Sequence, residues 1–586
     1  MHQGILLPIL AQLGLVRELI IMYTTLQSVW DELSAEGGPF EIDEILVRGS
    51  PMKTFKSAPP SLREVWLASA IHRDRDYLVY EDQRWSYTEV HRMVGSIAAW
   101  MANENLVQGD RVAIALRNYP EWMVCYWAAV ASGLTVVGMN AWWIENELDY
   151  AMHDATPKIL FCDEQRLNRF NAIRENHAQV KVVGIRLTEP ADQVFNFAEI
   201  ALFPGELPDT VIQPDEDACI FYTSGTTGRP KGAQQTHRGC VHNIMNMGFW
   251  GQCLSQTMSK LHGTARLDPQ EAPPISALVT TPLFHVTANN CLAQASTVAG
   301  GKLVHMYKWD ATVALQLIEK ERISNLTGVP VMSRELISHP DFNQYDTSSL
   351  ISVGGGGAQL QPDLVSKIDK AISTARPGTG YGMTETCGII TSIGGDFFIE
   401  NPESCGRAMP SFEVKTVDSE GSTTIPGEPG ELWVRGAAVI KGYLNQSAAT
   451  SDSITDGWLH TGDVARIDEN DFIYIVDRVK DMVLRGGENI YCSEGETVLF
   501  QMDQIAECSV FGIADDRLGE EVGVAIYCRA QLPTTAEQIR AFCSTRMAKH
   551  KIPRYIWMLD EPLPRNASGK FLKRELQGKL PIDQAQ

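Results

Sequence analysis

The sequence is short of positive charge. Its 586 residues carry 50 Lys and Arg against 72 Asp and Glu, a formal net charge of −22. Such a surface repels nucleic acid and anionic lipid, so a phosphate-bearing ligand must be gripped by local groups rather than by a broad positive field. Paired cysteines are lacking as well. Twelve cysteines are scattered from Cys125 to Cys543, with no C-x-x-C pair and no Cys/His cluster at zinc-ligand spacing. That pattern fits unpaired thiols in a reducing cytoplasm. There is no apolar run long enough to cross a bilayer. The nearest, Ile5 to Met22, is interrupted by Pro8, Gln12, Arg17 and Glu18. It has no basic leader and no small-residue cleavage site. It reads as an amphipathic helix or a non-native extension, or else as a peripheral membrane contact. Internal repeats, low-complexity tracts and a C-terminal peroxisomal or retention signal are also missing. Expected partners are therefore small molecules, with no nucleic acid and no transmembrane segment; the oligomeric state is left open.

What is present is ordinary for a globular protein, with 44% hydrophobic and 21% charged residues. The length is too great for one core, and two to four domains are expected. The chain is organised around Phe221-Tyr222-Thr223-Ser224-Gly225-Thr226-Thr227-Gly228-Arg229-Pro230-Lys231-Gly232. An apolar strand, Ala218 to Tyr222, feeds a run of hydroxyls and glycines, and a lysine follows. Glycines let backbone N–H groups face an anion, and the hydroxyls and Lys231 add donors and charge. These are the parts of a phosphate grip. It is not a Walker A loop, because only two residues separate Gly225 from Gly228. A plain surface turn needs neither so many donors nor the lysine.

Ahead of that stretch, residues 1–57 read as an extension, and Ser61 is placed to cap a helix. A helix is predicted from Tyr87 toward Glu104 and another over Glu121 to Ser132. Strands are predicted at Arg111 to Leu116, Thr135 to Val137 and Lys158 to Phe161. Buried strands alternating with helices predict a parallel α/β sheet. Beyond it, Leu261 to Pro274 reads as a loop, Ile275 to Leu283 as a strand, Ala311 to Glu321 as a helix and Asn325 to Pro330 as a strand and turn. Gly354 to Gly357 and Ala358 follow a strand, either as a flexible turn or as a backbone that a flat ligand can approach. Gly380 to Glu385 offers an aromatic face, a hydroxyl and a carboxylate, suited to a base, a phosphate and a hard cation; alone, it is equally a loop with a buried tyrosine. Residues 411–436 predict a small β-rich subdomain. Asp463 leaves a tight turn, as an ordinary turn residue or as a ribose ligand. Past 477–481 the texture changes to a small α+β unit, which ends on Asn566 to Lys570.

Together these stretches resemble the adenylate-forming superfamily of acyl-CoA synthetases, luciferases and peptide-synthetase adenylation domains. The resemblance covers residues 60–575. It rests on Tyr222 to Gly228 with Lys231-Gly232, Tyr381 to Glu385, Gly457-Trp458 to Asp463, Asp477-Arg478 with Lys480, Gly486 to Tyr491, and Asn566 to Lys570. It implies a large N-terminal AMP-binding domain over 58–477 and a small mobile C-terminal domain over 478–586, hinged near Lys480. It implies two half-reactions: a carboxylate attacks MgATP to give an acyl-adenylate and pyrophosphate, then coenzyme A displaces AMP. By resemblance Lys570 neutralises charge at the α-phosphate and Glu385 holds Mg²⁺, with Thr226 as a second oxygen near the metal. Thr223, Ser224, Gly225, Thr226, Thr227, Gly228 and Lys231 cradle the β- and γ-phosphates, and Thr384 reaches the α-phosphate. Tyr381, Gly382, Gly356, Gly357 and Ala358 line the adenine, and Asp463 and Arg478 hold the ribose. Gly486 and Gly487 open the thiol channel, and His285 borders the acyl pocket; by itself His285 is equally a structural histidine.

Two departures stand out. Where the family has Pro-x-Glu-apolar-Glu, this chain has Cys492-Ser493-Glu494-Gly495-Glu496. Gln359 replaces a common proline after the glycine run. The absence of an Asp between Thr281 and Asn290 favours a carboxylate without an α-amine. Val286, Ala288 and Val329 predict an apolar pocket, first of all for a fatty acid. Steroid-side-chain or aryl acids, a carrier-protein acceptor, and a degenerate nucleotide-binding homologue are the alternatives.

Overall fold

The computed structural model describes residues 3–223, 229–263, 275–486, 488–529, 532–565 and 571–586. Two mixed sheets make up the large part. In the eight-stranded sheet six strands are parallel: Val194–Asn196, Lys181–Ile185, Ile159–Asp163, Arg111–Ala115, Thr135–Gly138 and Asp217–Thr223, in spatial order. Lys231–Thr236 and Gly442–Tyr443 close one edge in antiparallel fashion. A parallel strand covered on both faces must be apolar throughout, and Ile159–Asp163 is buried at every position.

The second sheet has fourteen strands. Its parallel part runs Asp76–Tyr80, Lys302–His305, Ser276–Val279, Asn325–Gly328, Ser352–Gly355, Arg376–Met383. From there it continues antiparallel through Gly388–Gly394, Gly406–Ala408 and Phe472–Arg478 to Trp458–Ile467, Gly430–Gly436 and Phe412–Val417. The β-rich segment expected at 411–436 is thus the antiparallel end of this sheet.

Helix Pro120–Ala131 is buried at all positions, with Trp122 and Trp127 fully enclosed. The Trp127 indole donates to the Tyr77 hydroxyl at 2.9 Å, which shares a 2.7 Å bond with Thr297, so these buried polar atoms are paired. Helix Tyr87–Asn103 starts at a capping box of Ser86 and Glu89. Ser61 caps Leu62–Ala68 through the N–H of Arg63. The strand expected to run to Leu283 stops at Val279, short of Pro282, which has no N–H to donate. Of the expected loop, Leu261 and His262 finish the helix His237–His262, while 264–274 lie outside the described residues.

Helix Gln3–Ser34 and the hairpin Ile42–Val47/Ser50–Phe55 belong to the body. Met22, Leu26, Val29 and Leu33 enter the same core cluster as Phe249 and Cys253 of helix His237–His262. Trp30 meets Phe249 edge-on at 4.7 Å. Arg48, at the hairpin turn, donates to the Val439 carbonyl at 2.8 Å. Among the described residues no helix is long and apolar enough to cross a membrane.

The C-terminal part is a five-stranded sheet of Val483–Arg485, Glu488–Ile490, Ile505–Asp515, Gly519–Cys528 and Tyr555–Leu559. Helices Cys492–Leu499, Ala536–Ser544 and Lys573–Lys579 accompany it. It has its own core around Val510, Val524, Ile539 and Ile556.

Candidate active site

Two paired antiparallel strands flank the organising stretch. Thr223 ends one strand, Lys231 opens the next, and the two are register partners. Ser224, Gly225, Thr226, Thr227 and Gly228 lie between them, outside the described residues. The flanks are anchored from below. Tyr150 donates to the Pro230 carbonyl at 3.2 Å and stacks under Arg229, and Tyr222 donates to Asp154 at 2.8 Å.

Lys231 and Glu385 meet around Tyr443, and Thr384 precedes Glu385 in a short 3₁₀ turn, Thr384–Thr386. The Lys231 ammonium lies 4.9 Å from the centre of the Tyr443 ring, and the Tyr443 hydroxyl donates to Glu385 Oε1 at 2.9 Å. Burial, reinforced by Glu385, pushes the Tyr443 phenol up, so it remains a donor. The Glu385 carbonyl accepts the N–H of Ile440 at 2.9 Å, and the Thr384 carbonyl accepts Gln235 at 2.8 Å. Tyr443 and Gln235 escaped the sequence reading. Gln235 is fully buried and also accepts from Asn290 at 2.9 Å. Gln235 lies in a strand that is itself polar, Lys231–Thr236, so its polarity gave no signal.

A second group forms beside it. The Tyr381 hydroxyl donates to Asp463 Oδ2 at 2.6 Å, and Arg478 Nε lies 3.3 Å from Asp463 Oδ1. Asp463 and Arg478 are register partners on consecutive antiparallel strands, which brings the two side chains together. Gly382 has a packing reason for being glycine. A Cβ there would come within 2.0 Å of the Gly388 carbonyl oxygen. Gly382→Ala should therefore destabilise the protein by about 2–4 kcal/mol, checked by chemical denaturation.

The glycine run forms a third wall. Gly356 donates to the Gly328 carbonyl at 2.8 Å, and Gly357 takes φ +76°. A Cβ on Gly356 would meet Thr287 at 3.4 Å, and one on Gly357 would meet Val329 at 3.9 Å. Ala358 and Gln359 are exposed. Thr287 opens a π-helical segment, Thr287–Gln294, two residues after His285, whose ring packs on Phe284 at 4.7 Å. Such widened turns recur at functional sites. Val286 and Ala288 pack into the main core cluster with Leu283 and Phe284, and Val329 is also buried.

Lys480 is exposed in the turn between the two parts, and Gly486 takes φ +61°. Gly487 and Lys570 are outside the described residues. The two ends of the lysine stretch are pinned: Arg565 bridges to Phe571, and Leu572 donates to the Pro564 carbonyl at 2.9 Å.

Residues 66–444 match the family described as AMP-binding enzyme, and residues 494–570 match the AMP-binding enzyme C-terminal domain. The chain belongs to the AMP-binding enzyme family. A feruloyl-CoA synthase of Amycolatopsis sp is 32% identical over 84% of this chain and 93% of its own. A CoA ligase of Rhodococcus jostii, named for a methyl-dioxo-octahydro-indenyl propanoate, is 29% identical over 85% and 94%. The solved o-succinylbenzoate CoA synthetase of Bacillus subtilis, in complex with ATP and magnesium, is 28% identical with a TM-score of 0.72, covering 88% of this chain and 99% of that one.

This AMP-binding enzyme is an AMP-forming acid–CoA ligase of the adenylate-forming superfamily, and its substrates are ATP with Mg²⁺, a carboxylic acid and coenzyme A. The residues present fit a magnesium phosphate. Glu385, 7% exposed, offers a hard oxygen, and Tyr443 fixes its orientation beside the Lys231 charge.

Proposed function

We propose that this ligase activates an apolar carboxylic acid, ring-bearing ahead of straight-chain, with Lys570 as the catalytic lysine. The observation that carries the site is the Lys231–Tyr443–Glu385 group standing beside Tyr381–Asp463–Arg478. One holds phosphate and metal, the other the nucleoside. In the first half-reaction a carboxylate oxygen bonds to the α-phosphorus and the bond to pyrophosphate breaks. Both reactants are anions, so the barrier is mainly electrostatic. Lys231 and residues 223–228 take the β- and γ-phosphates. Lys570 takes the charge that develops at the α-phosphate, and Thr384 donates to the same group. Mg²⁺, when held by Glu385 with Thr226, supplies further charge neutralisation. Asp463 and Arg478 hold the ribose, and Tyr381 packs by the adenine with Gly356, Gly357 and Ala358.

In the second half-reaction the thiol sulfur bonds to the acyl carbon and AMP leaves. The C-terminal part, taken as 478–586, turns about Lys480, withdraws Lys570 and brings Gly486 and Gly487 to the adenylate. Residues 58–477 form the adenylating body.

The ring-bearing preference is supported by the names of relatives: ferulate is aromatic and the indenyl propanoate is a fused ring. A side chain on the glycine wall would meet Thr287, at 3.4 Å from Gly356, and Val329, at 3.9 Å from Gly357. A fatty acid is the second reading, favoured by the buried Val329 beside that wall. The test is a carboxylate panel with ATP, Mg²⁺ and CoA, following AMP and thioester mass. Thioesters with hydroxycinnamic or fused-ring acids support the first reading. A preference for long straight chains would replace it with the second. AMP without thioester would point to a carrier-protein acceptor.

A further inference from the structure

We propose that Asp149, His153 and His177 form a surface site for a transition-metal dication of the Zn²⁺ class, separate from the magnesium that accompanies ATP. Asp149 and His153 stand four residues apart on helix Glu145–Ala155, so they share one face. His177 ends the 3₁₀ turn Arg174–His177. It comes from a separate element, so no short-range spacing marks the group in the sequence. His177 Nε2 lies 2.8 Å from Asp149 Oδ1, and His153 Nδ1 lies 3.5 Å from the same oxygen. The two imidazole centres are 4.5 Å apart. One ligand atom from each of the three residues falls within 4.8 Å of the other two. Zinc bonds of about 2.0–2.1 Å space tetrahedral donors about 3.3 Å apart. The trio therefore closes on an ion through small side-chain adjustments. Among the described residues no other three His, Cys, Asp or Glu side chains come together in this way.

Two of the three ligands are held in place by the fold. His177 is buried, its ring stacks on Phe170 at 6.2 Å, and its carbonyl accepts the N–H of Val180 at 2.9 Å. Asn176 Nδ2 donates to Asp149 Oδ1 at 3.1 Å, the kind of outer contact that orients a ligating carboxylate. Burial pushes the Asp149 carboxyl up, but the hydrogen bonds from Asn176 and His177 outweigh it. They hold Asp149 below the usual carboxylate range, so it is charged at neutral pH.

The third ligand is the entrance. The His153 side chain is 59% exposed, and its Nδ1 also lies 2.9 Å from the Asp149 carbonyl. An ion replaces that contact and the His177–Asp149 hydrogen bond. Each neutral ring then carries its proton on the nitrogen that faces away from the metal, so the imidazoles lose none. Water takes the fourth position. Two imidazoles and one carboxylate suit Zn²⁺, Co²⁺ or Ni²⁺, whereas Mg²⁺ takes oxygen ligands. The site also has a place in the enzyme. Tyr150 and Asp154 directly follow the two helical ligands, and they bind the Pro230 carbonyl and the Tyr222 hydroxyl at the two ends of the organising stretch. An ion ties that helix to the Arg174–His177 turn and braces it.

The test titrates metal-stripped, tag-free, full-length enzyme with Zn²⁺ by calorimetry and with Co²⁺ by visible absorption, without ATP or acid. His153→Ala and Asp149→Asn are measured beside the wild type. His153→Ala trims an exposed ring to the best helix former, and Asp149→Asn keeps the shape of the side chain, so both variants fold. The wild type is expected to bind one ion at micromolar concentration, with the visible bands of a four-coordinate cobalt site. Both variants are expected to bind at least tenfold more weakly, since losing even an outer partner of a ligand costs about 10–100-fold. Zn²⁺ should raise the melting temperature of the wild type and not that of His153→Ala. Undiminished binding in His153→Ala would place the ion elsewhere, on the cysteines for example, and overturn the site. No micromolar binding to the wild type would overturn it equally. Either result leaves the ligase reading standing, because no substrate is present.

Discussion

Lys570→Ala should lower acyl-adenylate formation by about 10²–10³-fold, the scale on which losing one preorganised charge or donor at a reacting group is felt. CoA attack on supplied adenylate should survive largely intact, because the proposed turn about Lys480 withdraws the lysine before that step. The first step brings a carboxylate against a triphosphate. Two unit charges at 4 Å repel by about 4 kcal/mol near a protein surface. A net charge of −22 gives no long-range help, so local cations must cancel that repulsion. Lys231 lies against the Tyr443 ring and is proposed for the phosphate side. The check is isotope exchange between pyrophosphate and ATP with the preferred acid. Normal exchange in the variant would remove Lys570 from its proposed role.

Glu385→Gln should cost about 10²-fold in the same step and raise the Mg²⁺ concentration needed for half-maximal rate. The amide keeps shape and keeps an acceptor for Tyr443, so what is lost is the negative charge that attracts a hard cation. Tyr443→Phe is the informative partner. It removes the 2.9 Å hydrogen bond but not the carboxylate. The expected effect is about fivefold, the size of one ordinary hydrogen bond. A Glu385→Gln enzyme with unchanged magnesium dependence would show that the carboxylate is structural.

Much of this was readable in the chain itself, for physical reasons that differ by residue. Strand positions such as Ile159 to Cys162 announce themselves because burial on both faces demands an unbroken apolar run. Glu385 and Asp463 lie at the ends of stretches that carry glycine and hydroxyls, Gly380 to Glu385 and Gly457 to Asp463, where chemistry leaves a local mark, and Arg478 stands out as a charge at the end of an apolar strand. Tyr443 carries no such mark; it acts through strand pairing, since Gly442–Tyr443 joins the sheet edge beside Lys231–Thr236. Pairing between residues two hundred positions apart has no short-range signature. The 411–436 segment was legible as β structure, but its continuity with the large sheet depends on Gly406–Ala408, a strand of three residues. Residues 1–57 were set apart because polar interruptions mask the stripe of Met22, Leu26, Val29 and Leu33, whose partner lies on the distant helix His237–His262.

That N-terminal hairpin carries a consequence for how the enzyme ages under heat. Arg48 holds the Val439 carbonyl, and the next residue, Ile440, donates to the carbonyl of Glu385. The backbone of Glu385, the proposed metal ligand, is thus fastened from outside by a two-stranded ribbon. Short ribbons open locally well before a whole core does. Catalytic failure on warming should begin there, with the sheets still intact, and cooling should restore it.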